Sequence, residues 1–569
     1  MEFALLGVAA VVIVVAAAVF ARKLGIALPL ILTVIGAGLS FIPGMPALEL
    51  DPEWILILVL PPLLYSAAVN VPLVDFRRNL TPILGLGVLA VVLSAFVTGT
   101  IIYFLLPDLD YASAIALGAV IGPTDAVAAT SVAKRLGLPH RLVTILEGES
   151  LINDASALVL LRTAIAAVGG AVSIGGVLGQ FAWAVVGGAI VGLLLGWISV
   201  LLRSRFSDDL LATALSFVVP FIAYIGAEEI GASGVIAVVG AGLLIGHQSA
   251  RRFSARTRLA ERLNWRTVQF VLENGVFLLM GYQLAGYATG VTDDHYELWV
   301  PIAIALLLVV VLMVVRGAFV APLLAWLRLR DRRKVERGEQ FEERVNAVRS
   351  RVDETKVAEH PRLAERMQRF EVFVRRQSAD LEFVRREGLG WRGGMVITWA
   401  GMRGVVTVAA AQTIPASVPY RSELILIALV VAVVTLALGG LTLPPIIRGL
   451  KIQGPDGDAM AAERTELISE LASVTEASLQ SPSLADDDGT PFDPEVVERV
   501  RGEIAALGKA VRQRAAEPSD QQRQLGRLRI KALEMERAAL LDARSSGAYS
   551  SQVINEVQSM LDSLELRGM

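Results

Sequence analysis

The chain alternates long apolar runs with short polar segments. A helical membrane crossing needs about 20 apolar residues, and thirteen runs meet that need, centred roughly at 11, 35, 62, 93, 122, 155, 189, 218, 239, 275, 312, 403 and 435. The polar connections test the count. Loops one, three, five, seven and nine carry Arg22 and Lys23; Arg77 and Arg78; Lys134, Arg135 and Arg141; Arg203 and Arg205; and Arg251, Arg252, Arg256 and Arg258. Loops two, four, eight and ten carry Glu49 and Asp51; Asp108 and Asp110; Glu228 and Glu229; and Asp293, Asp294 and Glu297, while the sixth is uncharged. Basic residues keep to alternate loops as far as Arg421, and one miscounted span would break the alternation. The positive-inside rule then puts the N-terminus outside and the C-terminus in the cytoplasm of a multi-pass cell-membrane protein. The first run follows Met1-Glu2 without a basic flank or a small-residue cleavage site, so it is expected to be a retained span.

Two segments leave this pattern. Residues 328–392 form a charged insertion between spans eleven and twelve. Val345, Val348 and Val352, then Phe370, Phe373 and Val374, are spaced for amphipathic cytoplasmic helices, with a break expected at Pro361. Residues 453–569 form a polar tail. A Ser/Asp/Gly/Pro-rich stretch at 481–493 separates a helix expected at 459–480 from three more, and Leu525, Leu528, Ile530, Leu533 and Leu540 predict a small helical bundle of regulatory character. The expected architecture is therefore all-α: a transmembrane domain over 1–450, the 328–392 insertion within it, and the cytoplasmic tail.

Composition narrows the function. The chain of 569 residues is 54% hydrophobic and only 19% charged, which is the balance of a membrane protein. A net charge of −3 argues against nucleic acid as a partner. The absence of cysteine excludes disulfides and thiolate chemistry, and the four histidines, His140, His247, His295 and His360, have no metal-ligand spacing. No phosphate loop ending Gly-Lys-Ser/Thr occurs, so no nucleotide and no cofactor is expected.

The candidate chemistry lies in charges inside the apolar runs, where each costs at least about 2.5 kcal/mol. Span five reads Gly122-Pro123-Thr124-Asp125. Proline removes an amide and disfavours helix before it, and glycine eases unwinding, so the helix is expected to break at 122–125 and leave backbone polar groups beside Asp125. Such breaks are tolerated where they line a cavity, and their ends bind ions. A plain proline kink with a pore-facing Asp is the alternative. Span six carries Glu149, Ser150, Asn153 and Asp154, which share a helical face and offer oxygen ligands to a hard cation. Helix-to-helix packing by a polar cluster is the blander reading. Glu147 is expected at the cytoplasmic vestibule. Span twelve carries Gly401-Met402-Arg403-Gly404, a second weakened helix whose arginine needs a buried carboxylate, either Glu149 or Asp154. Arg316 is expected to cap a broken helix end, and Arg162 to snorkel outward. Spans five and twelve each precede one last long span, consistent with two six-span sets in an inverted repeat linked by span seven.

Together, Gly122-Pro-Thr-Asp125, Gly148-Glu-Ser-Leu-Ile-Asn-Asp154, Glu273-Asn-Gly-Val-Phe-Leu-Leu-Met-Gly281 and Gly401-Met-Arg-Gly404 resemble the sodium/proton exchanger branch of the monovalent cation/proton antiporter superfamily. The resemblance covers about residues 1–450 without the insertion. It implies thirteen helices, a dimerisation domain and a core domain with two crossed, unwound helices, assembled as a homodimer. It implies electroneutral exchange of Na⁺, or of Li⁺ or K⁺, for H⁺, with Asp154 binding cation or proton. Asn153 is the partner typical of the electroneutral branch, Ser150, Asp125 and the Thr124 backbone are the implied ligands or near-ligands, and Glu149 with Arg403 is the implied structural ion pair. One departure is Ser66, which stands where several members carry an acidic residue four positions after the second proline of Pro61-Pro62. Other classes fit less well. An intramembrane aspartyl protease would show Gly before its second Asp, where Asn153 stands. A cation channel can also line its pore with carboxylates but would pass ions without protons. An inert scaffold would not retain four costly charges.

Overall fold

The computed structural model describes residues 2–24, 27–42, 54–168, 174–206, 208–284, 286–288, 297–349, 388–452, 454, 457–480 and 490–503, with scattered positions at 366–385 and 535–557. Two compact units result, Met1–Gly454 and Pro455–Met569.

All regular structure among the described residues of the first unit is helical. In chain order it comprises α1 (Glu2–Leu24), α2 (Leu28–Ser40), α3 (Leu60–Asn70, after a π-helical turn at Ile55–Val59), α4 (Leu73–Arg78) and α5 (Leu80–Leu105). There follow α6 (Tyr111–Ile121), α7 (Ala126–Arg135), α8 (His140–Val168), α9 (Ile174–Arg203), α10 (Asp209–Glu228), α11 (Gly234–Arg252) and α12 (Ala255–Tyr282). The last are α13 (Trp299–Arg349), α14 (Trp391–Trp399), α15 (Val405–Gln412) and α16 (Arg421–Leu450). Length and apolarity alone single out six membrane-crossing helices among the described residues, α5, α8, α9, α10, α13 and α16, with shorter apolar helices in α1, α2, α6 and the Ile55–Asn70 stretch. The count of thirteen spans thus rests on the sequence pattern and not on helix length.

The helices sort into two groups by their packing. One gathers α1–α3 and α9–α12; the other gathers α5–α8 and α13–α16. Small residues let the second group pack at backbone distance: a Cβ on Gly99 of α5 would stand 2.8 Å from Ile115 Cα of α6. Side-chain contacts join several loops. Arg141 of loop five bonds Asn79 of loop three and Asp331 of the insertion, at 3.0 and 3.3 Å, and Arg330 bonds Thr81. On the opposite face Arg162 meets Glu228 of loop eight, and Tyr420 meets Asp108 of loop four. Loops three and five and the start of the insertion thus contact one another, and Arg162 ends in an ion pair with loop eight.

The insertion begins as an unbroken continuation of a span. Helix α13 runs 51 residues from Trp299 to Arg349, about 75 Å at the usual rise. Its extension buries Val345, and Val374 and Leu381 are buried as well, while Phe341 packs edge-on against Phe373. Phe373 is half exposed; Val348 lies in α13 without a described side chain, and Val352 and the break at Pro361 fall outside the described residues. The second unit contains a helix at Gly457–Leu479 and a further helical stretch from Pro494, tied by an Arg501–Glu476 ion pair of 2.7 Å. Leu525, Leu528, Ile530 and Leu533 fall outside the described residues.

Candidate functional site

Both expected helix breaks are present, and they cross. Helix α6 ends at Ile121, α7 begins at Ala126, and Gly122-Pro123-Thr124-Asp125 between them is non-helical. Helix α14 ends at Trp399 and α15 begins at Val405, with Ala400–Gly404 non-helical between them. The two breaks satisfy each other's backbone groups. The Asp125 N–H donates to the Met402 carbonyl at 2.6 Å, and the Arg403 Nε donates to the Ile121 carbonyl, the last of α6, at 3.0 Å. Arg403 also reaches the Gly401 carbonyl, and its backbone N–H donates to Thr435 Oγ1 at 3.1 Å. Gly404 is fixed by this approach: a Cβ there would collide with the Asp125 carboxylate.

Behind the crossing runs a buried polar chain. Asn153 donates from Nδ2 to the Thr124 carbonyl and to Thr124 Oγ1, both at 2.9 Å. Thr124 Oγ1 donates to Glu149 Oε1 at 2.9 Å. Glu149, 1% exposed, is gripped in a two-pronged contact by Arg316, whose two terminal nitrogens stand 2.6 and 2.9 Å from its oxygens. The remaining Arg316 nitrogen donates to the Ile397 carbonyl near the end of α14 at 2.9 Å. Arg316 and Arg403 thus each bond a carbonyl at the end of a broken helix. The expected ion pair of Glu149 with Arg403 is corrected: Glu149 takes Arg316, because α13 is unbroken beside α14 and its guanidinium can span carboxylate and helix end together. Arg403 lies within the break and spends its donors on carbonyls.

In front of the crossing is a cavity of about 510 Å³. Its floor gathers Thr124, Asp125, Ser150 and Asp154, and its lining runs out to Asn70 at the end of α3, Lys134 near the end of α7 and Glu147 two turns into α8. Lys134 and Glu147 pair there at 2.6 Å. Asn153 is not on the cavity wall. It is fully buried behind it and clamps Thr124, so it positions the break without facing the cavity. The floor therefore offers two carboxylates, two hydroxyls and unwound backbone, an oxygen-only set suited to a hard monovalent cation.

Residues 9–449 match the family model described as sodium/hydrogen exchanger, transmembrane. The chain belongs to the sodium/hydrogen exchanger family. This exchanger is 28% identical to an uncharacterized Na⁺/H⁺ exchanger of Mycobacterium tuberculosis, over 99% of its own length and 96% of the relative's. It is 29% identical to the uncharacterized Na⁺/H⁺ exchanger YjcE of Escherichia coli, over 95% and 94% of the two chains. Its fold is similar to that of the sodium proton antiporter MjNhaP1 of Methanocaldococcus jannaschii, with a TM-score of 0.55 at 16% identity, covering 79% of this chain and 99% of that one. The chain is a multi-pass membrane transporter of cations and protons and not an enzyme.

Sequence reasoning placed one exchanger residue in a motif without assigning it to the site. Glu273 of α12 lines the same cavity. It is an acidic residue within an apolar run, the criterion that singled out Asp125, and that criterion would have found it. Gly404→Ala tests the crossing. The added methyl must displace the Asp125 carboxylate, and since small misplacements cost up to about 100-fold in positioned chemistry, cation-dependent proton flux should fall at least tenfold in a protein that remains monodisperse. Flux at the wild-type rate would show that the close approach is not needed.

Proposed function

We propose that the chain exchanges Na⁺ for H⁺, one for one, with Asp154 holding either ion in turn. The observation that carries this reading is the meeting of Asp154, Asp125, Ser150 and Thr124 on the floor of a cavity, at the crossing of two broken helices. Helix ends and freed carbonyls there supplement the side chains as cation ligands. Asp154 stands half-buried and faces the cavity, whereas Glu149 is committed to Arg316. With cation or proton bound, the Asp154 site carries the same net charge. An empty carboxylate would meet the desolvation cost of crossing, so the loaded site moves and the empty one does not. The two helix groups on either side of the cavity are the bodies whose relative motion would open the site to one face and then the other. The face of basic loops is assigned to the cytoplasm.

K⁺ is the second reading, supported by a relative from Bacillus pumilus, described as a sodium, potassium, lithium and rubidium/H⁺ antiporter, which is 28% identical over 74% of this chain and 57% of its own length. Proton flux in sealed proteoliposomes, with Na⁺, Li⁺ and K⁺ added in turn at clamped membrane potential, separates these readings. The expected result is proton movement on addition of Na⁺ and none on a voltage step alone. Cation entry without proton movement would make the protein a channel, and exchange driven by voltage alone would defeat the electroneutral stoichiometry.

A further inference from the structure

From its floor at Asp154 the cavity runs toward Lys134 and Glu147, and among the described residues none of α8 beyond Asp154 lines it. Past that point α8 turns to the other helix group. Its Leu158 and Leu161 belong to one buried apolar core with Ala223 and Ala227 of α10 and Val235 of α11. Arg162 follows, about 12 Å beyond Asp154 at the usual rise. Arg162 Nη1 pairs with Glu228 Oε2 at the end of α10, and Nη2 donates to Tyr224 Oη at 3.4 Å. Glu228 is held from its own side, because its Oε1 accepts from the Gly234 N–H, the first of α11, at 2.9 Å. A Cβ on Gly234 would stand 2.7 Å from the Tyr224 ring and 2.9 Å from Glu228 Oε1, so α11 packs tightly against both. A second bridge lies at the same end of the helices. Gln412, the last residue of α15 and 3% exposed, donates from Nε2 to Gln283 Oε1, just past α12, at 2.6 Å. Arg421 fixes that end of α15 through the Gln412 and Ile414 carbonyls, at 2.9 and 2.8 Å. Its neighbour Tyr420 meets Asp108, ahead of α6 and therefore at the end away from Lys134. Each bridge has one partner in each helix group.

We propose that the Arg162–Glu228 pair, supported by Gln412–Gln283, is the latch that keeps the Asp154 site shut at the end away from Lys134, and that it parts when the site opens there. With the basic loops in the cytoplasm, this is the outer face. The inference rests on the exchange reading, in which the two helix groups move relative to each other. A contact between bodies that must separate acts only in the closed state, so it shifts the balance of the two access states by its own strength. For a partly exposed ion pair that shift is about threefold. Tyr224 and the start of α11 are positioning groups, which hold Glu228 where Arg162 can reach it. The apolar contacts of Leu158 and Leu161 are non-directional and tolerate sliding, whereas the ion pair has one geometry, so the pair marks the closed position.

The chain has no cysteine, so a single one introduced at Val406, which lines the cavity, reports access to the site. Labelling of Val406→Cys by a membrane-impermeant maleimide is measured in intact cells and in inverted vesicles, alone and combined with Arg162→Gln or Glu228→Gln. Each neutral substitution should raise labelling from outside about threefold and should not raise labelling from inside. A loss of stability alone would move both in the same sense. The converse test uses Arg162→Cys with Glu228→Cys, joined by a reducible bifunctional methanethiosulfonate reagent. Cross-linking should lower cation-dependent proton flux in proteoliposomes more than tenfold, and reduction should restore it. Unchanged outside labelling in both neutral variants, or exchange at the uncross-linked rate by the cross-linked protein, overturns the proposal. Failure of the exchange reading looks different: wild type would then move no protons on addition of Na⁺, and the ratio of outside to inside labelling would still judge the latch.

Discussion

Asp154→Asn in the full chain is expected to abolish cation-dependent proton flux, by more than 100-fold, while leaving expression, monodispersity and thermal stability near those of wild type. Two observations separate loss of transport from loss of fold. Asp154 stands half-buried on the cavity floor and is not part of the Arg316–Glu149–Thr124–Asn153 chain that ties the breaks together. An amide is also close to isosteric with the carboxylate, so packing on α8 is kept. What is removed is the exchangeable charge: asparagine cannot take up a proton at accessible pH, and as a neutral ligand it holds a cation weakly. A related outcome concerns pH in the wild type. If proton and cation compete for one carboxylate, lowering the pH on the side of cation entry should raise the apparent KM for Na⁺ and leave the rate at saturating Na⁺ less affected. Exchange by Asp154→Asn at an appreciable fraction of the wild-type rate would move the carrier role to Asp125 or Glu273.

The breaks were legible in the sequence because they are local. Pro123 lacks an amide, and the residue before it resists helix, so the unwound segment follows from four adjacent residues. Gly401 and Gly404 flank Arg403 with the same result. The partner of Glu149 was not legible, because ion pairing between helices depends on their rotation and depth, and sequence spacing encodes neither. The resemblance gives Glu149 to Arg403, and spacing leaves Arg316 without a named partner. Only the packing of α13 against α14 decides that Arg316 reaches Glu149 while Arg403 turns to Ile121. Asn153 illustrates a similar limit. One turn from Glu149 and next to Asp154, it shares their helix, yet its amide points behind the cavity to Thr124. Adjacent helical residues lie about 100° apart, enough to put Asp154 in the cavity and Asn153 behind it.

Arg316→Ala is expected to destabilise the protein more than any other single substitution in the core, because two losses coincide. Glu149 would be left as a carboxylate 1% exposed with its guanidinium gone, and the Ile397 carbonyl near the end of α14 would lose its donor. Breaking a buried pair from one side costs about 3–5 kcal/mol, since the remaining charge stays desolvated, and that is a large part of the stability of most folded domains. Low yield and a fall in thermal midpoint should follow. Arg316→Lys should rescue only partly, as a single ammonium cannot grip both carboxylate oxygens and the helix-end carbonyl together. The pairing itself is read from a double substitution. Glu149→Gln removes the stranded charge while its amide can still accept from Thr124, so Arg316→Ala with Glu149→Gln should recover much of the thermal midpoint. The same Glu149→Gln added to Arg403→Ala should recover less, because the hydrogen bonds of Arg403 go to the Ile121 and Gly401 carbonyls and Glu149 acts on it only through its field. Rescue of Arg403→Ala and not of Arg316→Ala would restore the pairing that the sequence alone implied.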